Sequence, residues 1–345
     1  VPKSLLSSWN DILSEIVPTL EAGLQAFQID TEIGWADAAY DDPEIVALRR
    51  YLDENNGIKG LELVAPDNIE RAVRLFRRDG FVAVEGILNE EQVDCLAAGC
   101  DEVVNEIVAL DKGNQGNRGS HRYSFGGSSL TRSQLHRPEW QMLLDIPEVL
   151  NLLNAIFGSE DYVLRAASGD FCLPGAVDYQ RLHSDVHDWV AKDKTPFSAF
   201  HDPTGDVSIR DLPSPYVCVN FLSQEVTRLN GATRQIPGTQ KSRIQIPGLR
   251  DEPEWMKLST VCPVPAGAIM IRDVRAWHGG TPNVSDKTRS IPNLEFYAPW
   301  FREPVVPGIT YRDYKRLSAK AQRLTRLSVV DSSETLITGA TLKAP

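Results

Sequence analysis

From residue 161 to 301 the sequence is a succession of short apolar runs separated by glycine, proline and aspartate, such as YVLRAASGDF, YVCVNFLS and AGAIMIRD. Each run is short for a helix and has the length and the flanking turn residues of a β-strand. Short strands joined by turns at regular spacing are typical of antiparallel sheets that pair or close on themselves. This region therefore predicts an antiparallel β-sandwich or barrel.

The residues before this β region have a helical periodicity instead. Apolar side chains recur at steps of three and four residues over 4–28, 43–54, 68–79, 89–110 and 138–157. Asp67 is the predicted N-cap of the third helix and Gly80 its predicted stop, with a strand, Phe81–Val84, directly after it. After Phe301 a basic segment, SAKAQRLTRL, predicts a final surface helix.

The composition argues against several classes of protein. With 36 basic and 47 acidic residues in 345 the net charge is −11, which disfavours a surface that tracks nucleic-acid phosphates. No apolar run reaches the roughly 18 residues that a membrane span needs. The five cysteines are scattered without a CxxC pair, which disfavours a disulfide scaffold or a zinc ribbon. Because the start of the sequence is amphipathic and unlike a signal peptide, we expect a cytoplasmic location.

Two long polar segments, 111–131 and 190–215, interrupt the predicted elements. Loops of this length are uncommon in compact domains and are usually functional or disordered. We therefore predict that both segments are lids over a binding site.

The motif QRLHSDVHDW places His183 and Asp185 two residues apart in strand-like surroundings. Residues at this spacing on a strand point to the same face, so an imidazole and a carboxylate can bind one cation. The motif alone is a weak signal, since a hydrogen-bonded pair on the surface has the same spacing. The two residues are candidate metal ligands.

A second histidine, His278, follows the apolar strand AGAIMIRD and precedes the turn GGTPNVSDK. A histidine at this place also fits a simple strand end. Added to His183 and Asp185, however, it completes a set of two imidazoles and one carboxylate, which suits Fe(II) with open coordination positions. Zinc more often has a further nitrogen or sulfur ligand, and no cysteine is near in the sequence.

Arg289 lies eleven residues beyond His278, across the intervening turn. A hairpin of this length returns the chain beside the strand of the metal ligand, so the guanidinium can reach the same cavity. An ordinary surface arginine is the alternative. If it is buried, it needs an anion, and the distal carboxylate of a bound dicarboxylate would pair with it bidentately.

The order of these motifs resembles the phytanoyl-CoA dioxygenase (PhyH) family of Fe(II)/2-oxoglutarate-dependent oxygenases over about residues 68 to 302. The similar segments are LFRRDGFVAVEGILNEEQVDCL, QRLHSDVHDW, LNGATRQIPGTQKS, PAGAIMIRDVRAWHGG and the arginine at the family's spacing. Thr239 and Gln240 depart from the family pattern, which commonly has Ser-His after Pro-Gly. Residues 1–66 have no counterpart in the family.

The resemblance implies that His183, Asp185 and His278 bind the iron and that Arg289 holds the far carboxylate of 2-oxoglutarate. Halogenating relatives replace the metal carboxylate with a small residue, so the presence of Asp185 disfavours halogenation. Three further residues are expected to contact the cosubstrate or support a ligand: Gln180, Asn220 and Arg165. Asp170 is an alternative partner that would instead neutralise Arg165.

The implied fold is an all-β core with helices, a cupin-like double-stranded β-helix or jelly roll buttressed by N-terminal helices. We divide the chain into a helical extension, 1–66, a dioxygenase domain, 67–302, and a C-terminal helical tail, 303–345. The domain comprises a helical buttress, 67–158, and the jelly roll, 159–302. The extension either forms a homodimer interface or covers the sheet.

The substrate is expected to be a small or medium-sized, apolar metabolite of secondary metabolism, with no nucleic-acid or membrane partner. The predicted substrate contacts lie in or beside the long loops: His121, Tyr123, Phe125, His187 and Trp189. Aromatic residues there serve equally well as loop anchors, and loop charges are often simply solvated. His187 is expected to support a ligand or face the substrate rather than to be a fourth ligand.

The implied reaction consumes Fe(II)-bound 2-oxoglutarate and O2, releases succinate and CO2, and oxidises an unactivated C–H bond of the substrate, with hydroxylation as the expected outcome. The same chemistry also supports desaturation, ring formation or rearrangement. Two alternatives of another class remain: a non-catalytic jelly-roll protein that binds a metal or small ligand, and a zinc hydrolase that works without O2.

Overall fold

The computed structural model of the protein describes residues 40–125, 133–188, 199–200, 202–303 and 308–330. The predicted helix over 4–28, parts of both predicted lids and Trp189 lie outside these ranges. Within them, none of the helices has the length and apolar character that a membrane crossing requires.

The helices of the described ranges lie mostly before the β region. They are α1 Pro43–Asn55, α2 Ile69–Asp79, α3 Glu90–Leu110, α4 Pro138–Met142, α5 Pro147–Phe157, α6 Glu254–Leu258, α7 Tyr311–Tyr314 and α8 Ala319–Thr325. Short 3₁₀ turns cover Leu143–Asp145 and Thr239–Lys241.

The strands follow the chain as short elements. They are β1 Leu63–Val64, β2 Phe81–Val84, β3 Arg122–Ser124, β4 Val163–Cys172, β5 His187–Asp188, β6 Ala199–Phe200, β7 Tyr216–Phe221, β8 Arg234–Gln235, β9 Ile269–Asp273, β10 His278–Gly279, β11 Arg289–Tyr297, β12 Ile309–Thr310 and β13 Val329–Val330.

Local sequence explains the ends of the helices before the sheet. The N-cap of α2 is Asn68, whose side chain accepts a hydrogen bond from the Arg71 N–H at 3.2 Å, so the prediction of Asp67 was wrong by one residue. Gly80 ends α2 in the left-handed conformation at φ +83°, as predicted. A reciprocal capping box of Asn89 and Gln92 begins α3.

Seven strands form one main sheet in the order β1-β2-β9-β7-β11-β4-β3. The pairs run antiparallel except β1 with β2, which are parallel. The predicted β core with a helical buttress is confirmed. The sheet is mixed rather than purely antiparallel, because its edge strand β1 is parallel to β2. This edge strand comes from the stretch 1–66, for which the sequence predicted only helix.

Alternation along the central strands separates two faces of this sheet. Val219 and Leu294 point to one face and lie in a single apolar cluster with residues of α2, α3, α4 and α5. Asn220 and Asn293 point to the other face and line a cavity. The helices therefore cover one face of the sheet and leave the other for a site.

Short pairings complete the other wall of this cavity. Strands β8 and β10 pair antiparallel, and His183 forms an isolated antiparallel bridge with His278. Because His278 and Thr233 line the same cavity as Asn220 and Asn293, the cavity lies between these pairings and the main sheet.

The described part of the first predicted lid, residues 111–125, contributes the edge strand β3 to the main sheet. Tyr123 of β3 stacks on Phe171 with ring centroids 4.5 Å apart, and its hydroxyl donates to Asp111 Oδ2 at 2.8 Å. The burial of this aromatic ring holds the segment against β4.

The C-terminal part of the described chain packs on the same core as the helical buttress. Ala321 and Leu324 of α8 are fully buried in the apolar cluster, so the segment predicted as a surface helix has a buried face. The Ser318 hydroxyl donates to Asp145 Oδ1 at 2.6 Å, and β12 pairs parallel with β13.

Candidate metal centre

The backbone holds His183 and His278 directly opposite each other. The N–H of each residue donates to the carbonyl of the other at 3.0 Å, which makes the two positions partners across an antiparallel bridge. Their rings consequently lie 4.2 Å apart, centroid to centroid. Asp185 is held two residues along, where its N–H donates to the Val274 carbonyl at 2.9 Å.

The structure brings the three predicted ligands together. Asp185 Oδ1 lies 3.7 Å from His183 Nε2 and 3.6 Å from His278 Nε2, and one ligand atom from each residue lies within 4.8 Å of the others. Atoms that bind one ion at about 2.0–2.2 Å lie at such separations from each other. The arrangement therefore fits a single divalent cation.

In both histidines the candidate ligand atom is Nε2, and the ring is oriented by a contact of Nδ1. Nδ1 of His183 lies 3.1 Å from the Arg181 carbonyl, and Nδ1 of His278 lies 3.0 Å from the Ala276 carbonyl. An Nδ1–H that donates to a carbonyl leaves the Nε2 lone pair for a metal. Burial, with the nearby Arg272 charge, lowers the pKa of His278 well below its ordinary value, so this ring is neutral and able to bind a cation.

The carboxylate of Asp185 is ionised. Loss of solvent around it raises its pKa, but the charge of Arg272 and the hydrogen bond from its guanidinium outweigh this effect and hold the pKa well below the ordinary value. The side chain stays about a quarter exposed, at 26%, toward the cavity opening. The donor set is one carboxylate oxygen and two imidazole nitrogens, which fits a first-row divalent ion such as ferrous iron.

Arg272 is a site residue that the sequence reasoning missed. Its Nη1 donates to Asp185 Oδ2 at 2.7 Å, and only 8% of its side chain is exposed. A signal was present, because an arginine inside the apolar run AGAIMIRD rarely stays buried without a partner. The same rule had singled out Arg165 in another strand.

Arg289 begins β11 and points into the cavity with 4% of its surface exposed. In the described part of the chain its Nε has no hydrogen-bond partner and its guanidinium forms no ion pair. Burial lowers its pKa, which reflects the cost of a desolvated charge. A buried cation without a protein partner fits an anionic ligand at this end of the cavity.

The cavity is mostly polar. Its walls hold the three candidate ligands, Arg272 and Arg289, and further polar side chains: Arg118, Arg122, Ser124, Ser168, Asp170, Gln180, Asn220, Thr233, Asn293 and Glu295. Gln180 is fixed there because its Oε1 accepts from the Gly280 N–H at 3.0 Å. Asn220 lies opposite Asn293 in the register of β7 and β11. Both predicted supporting residues therefore line the cavity.

Arg165, the third expected cosubstrate contact, is engaged elsewhere. Its guanidinium pairs with Glu295 and with Glu303, the latter at 3.1 Å, and it lies 4.7 Å from the centroid of the Tyr216 ring. It does not line the cavity and reaches it only through Glu295. Two glutamates neutralise it, in place of the Asp170 alternative.

The residues predicted to contact the substrate lie in different environments. Tyr123 touches the cavity wall but is fully buried, while Phe125 is fully buried in the core, 5.7 Å from Trp140 between ring centroids. These two rings are anchors of the segment rather than an open apolar surface. His121 is also buried, with a left-handed backbone at φ +62°. The side chain of His187 lies outside the described atoms, although its backbone forms β5.

A model of the phytanoyl-CoA dioxygenase (PhyH) family matches residues 76–291, a range that includes all three candidate ligands and Arg289.

Several solved structures are similar to this chain. AviO1 from Streptomyces viridochromogenes Tue57 is 20% identical over 70% of this chain and 98% of that chain, with a TM-score of 0.46. The non-heme alpha ketoglutarate dependent epimerase SnoN from nogalamycin biosynthesis is 18% identical over 67% and 81%, with a TM-score of 0.48. The carbocyclase SnoK from the same biosynthesis is 18% identical over 81% and 100%, with a TM-score of 0.47.

Proposed function

Since the chain belongs to the phytanoyl-CoA dioxygenase (PhyH) family, whose cofactors are Fe(II), 2-oxoglutarate and O2, we propose that it oxidises an unactivated C–H bond of a small, polar metabolite by hydroxylation. Succinate and CO2 are the coproducts. The observation that carries the proposal is the pairing of a His-Asp-His cluster with an unpartnered buried arginine in one cavity. Neither half of this arrangement is explained without a ligand.

His183, Asp185 and His278 would hold the iron through Nε2, Oδ1 and Nε2. Once bound, the iron supplies the activation of O2 and the oxidation itself. The protein would contribute two imidazole nitrogens and one carboxylate oxygen, a set that suits Fe(II) with positions left for the cosubstrate and O2. It also keeps the Nδ1 proton of each histidine on a backbone carbonyl, so that neither ring turns away.

Arg289 would bind the far carboxylate of 2-oxoglutarate. Its two terminal nitrogens match a carboxylate bidentately, and burial strengthens this interaction because water does not compete. Gln180 and Asn220 would contact the cosubstrate from opposite walls of the same cavity. Arg165 is not proposed for this role, because two glutamates already bind it.

The cavity wall favours a substrate that forms hydrogen bonds, in place of the apolar substrate expected from sequence. Ser168, Asp170, Asn293 and Glu295 lie on this wall, while the rings of Tyr123 and Phe125, two of the residues expected to provide an apolar lining, are fully buried. A substrate bearing hydroxyl or amino groups would find hydrogen-bond partners on this wall.

We also propose that the fold is a double-stranded β-helix with the domain limits given above. The main sheet would be one half, and the pairings around β8, β10 and His183 would be the beginning of the other. A homodimer through residues 1–66 and a cytoplasmic location stay predictions.

The proposal is tested by adding 2-oxoglutarate to the Fe(II)-loaded protein without oxygen. Chelation produces a weak visible charge-transfer band. We expect this band in the wild type and its loss in His183→Ala, while His136→Gln, a histidine outside the cavity lining, keeps it. A wild type that binds iron without giving the band would contradict the proposal.

Oxygen is then admitted with a library of polar metabolites, and succinate is measured. Slow succinate release without substrate, accelerated by a library member, is the expected result. The product decides between the oxidations, since hydroxylation adds one oxygen atom and desaturation or ring closure removes two hydrogens. A band without any succinate in the presence of oxygen would indicate a binding protein instead.

A further inference from the structure

Arg272 sits where a buried strand meets the candidate metal centre. It lies in β9, in register with Cys218 of β7 and Phe81 of β2, and its side chain points to the cavity face of the sheet. An apolar residue would be the ordinary choice at such a central position. A charge here therefore calls for a specific explanation.

The contacts of Arg272 divide the two oxygens of Asp185 between different partners. Arg272 Nη1 donates to Oδ2 at 2.7 Å, whereas Oδ1 is the oxygen that lies 3.7 and 3.6 Å from the Nε2 atoms of His183 and His278. One oxygen thus faces the guanidinium, and the other faces the place where an ion would bind. The same Nη1 lies 3.1 Å from His278 Nδ1, so the guanidinium is packed against two of the three ligands.

We propose that Arg272 is a positioning residue that makes Asp185 a one-oxygen ligand. This inference rests on the proposed function. A ferrous ion with three single-atom protein ligands keeps about three open positions, of which the cosubstrate chelate takes two and O2 needs the last. A carboxylate free to bind through both oxygens would take a fourth position and leave none for O2.

A purely structural role explains Arg272 less well. Arg275, three residues on, is a buried arginine of that kind, because it pairs with Asp273 at 2.6 Å and donates to the carbonyls of Ile209 and Leu212. Arg272 in contrast donates through Nη1 to Asp185 within the described residues, and its buried Nε has no partner there. Among the described residues it forms an ion pair only with Asp185, a candidate ligand.

The test uses the full chain loaded with Mn(II) or Co(II), which occupy the site without consuming O2. The variants are Arg272→Met, which removes the donors, Arg272→Lys, which restores one charged donor, and Arg275→Met, which removes a buried guanidinium that bonds to Asp273 and backbone carbonyls rather than to a candidate ligand. Three quantities are measured: the water molecules bound to Mn(II), by EPR in ¹⁷O-water, the Kd for the metal, and the Kd of the metal-loaded protein for 2-oxoglutarate.

In Arg272→Met we expect the bound waters to fall from about three to about two and the 2-oxoglutarate Kd to rise about tenfold or more, with a metal Kd changed less than tenfold. Arg272→Lys is expected to restore part of the bound water and part of the affinity for 2-oxoglutarate. Arg275→Met lowers the unfolding temperature but leaves the number of waters unchanged.

Unchanged waters and 2-oxoglutarate binding in Arg272→Met would overturn the inference. So would a loss of metal affinity above tenfold, because Arg272 would then govern whether the ion binds rather than how Asp185 binds it. If the wild type itself gave no chelate band with Fe(II) and 2-oxoglutarate, the proposed function would fail first, and the two failures are thus distinguished.

Discussion

At the scale of single residues, Arg289 is held in a costly state. A buried guanidinium without a partner loses its hydration and gains no compensating bond within the described chain. Selection for stability alone would remove it. A residue that destabilises the ligand-free protein and stabilises the ligand-bound protein is expected at a ligand-binding site.

Arg289→Met is therefore predicted to keep or raise the unfolding free energy of the ligand-free protein while its affinity for 2-oxoglutarate falls about 10- to 100-fold. The loss corresponds to a charge-assisted interaction of roughly 1.5–3 kcal/mol. Thermal unfolding with and without metal and 2-oxoglutarate measures both effects. The wild type gains about 2.7 kcal/mol at a ligand concentration of 100 times Kd, and the variant at the same concentration gains much less.

Arg275→Met is the matched control for this prediction. Its guanidinium is bound to Asp273, so its removal leaves a buried carboxylate and costs roughly 3–5 kcal/mol. It should keep its stabilisation by 2-oxoglutarate. A destabilised Arg289→Met with normal 2-oxoglutarate affinity would show that Arg289 is structural.

At the scale of elements, the turn around Thr239 and Gln240 connects the end of α2 to the candidate metal centre. Gln240 Nε2 donates to the carbonyls of Arg77 and Arg78 in the last turn of α2, at 3.1 and 3.3 Å. Thr239 Oγ1 accepts from the Trp277 N–H at 2.9 Å, next to His278. These two residues depart from the family pattern. In this protein they connect the helical buttress to the residue before β10, the strand that carries the candidate ligand His278.

Thr239→Val is predicted to lower the unfolding free energy by roughly 1–3 kcal/mol, because the buried Trp277 N–H loses its acceptor. We expect weaker metal binding as well, since His278 is the next residue. Thr239→Ser keeps the hydroxyl and serves as the control. Urea unfolding and a metal titration check the two effects, and identical results for valine and serine would show that the hydroxyl is unimportant.

At the scale of the whole molecule, one sheet separates a structural face from a functional face. Leu294 and Asn293 are neighbours in β11, yet Leu294 is fully buried against the helical buttress and Asn293 lines the cavity. Because strand side chains alternate, stability and ligand binding are assigned to adjacent residues of the same element.

Leu294→Ala is predicted to cost roughly 2–5 kcal/mol of unfolding free energy, as large-to-small changes in a core do, with little effect on the 2-oxoglutarate affinity of the folded protein. Asn293→Ala is predicted to change substrate turnover with a much smaller loss of stability. Denaturant unfolding and succinate release separate the two variants. Equal effects of both substitutions on both measurements would refute the two-face division.

The sequence by itself predicted most of the described helices and strands and singled out three candidate ligands that the structure brings together. Periodicity located the helical buttress and the strands, because amphipathic patterns reflect which face of an element is buried. The two-residue spacing predicted that His183 and Asp185 share one face, and the completed donor set together with the family resemblance added His278 and Arg289. Spacing of this kind is local information, and the family resemblance supplied the order of the motifs.

Only the tertiary structure decided the partners of the charged residues. Nothing local distinguishes Arg165, which is paired with two glutamates, from Arg272, which binds a ligand carboxylate, since each is an arginine in an apolar run. Likewise, Tyr123 lies in a polar segment, yet its ring packs on Phe171. Burial and pairing depend on residues far apart in the chain, so they emerge only when the sheet brings those residues together.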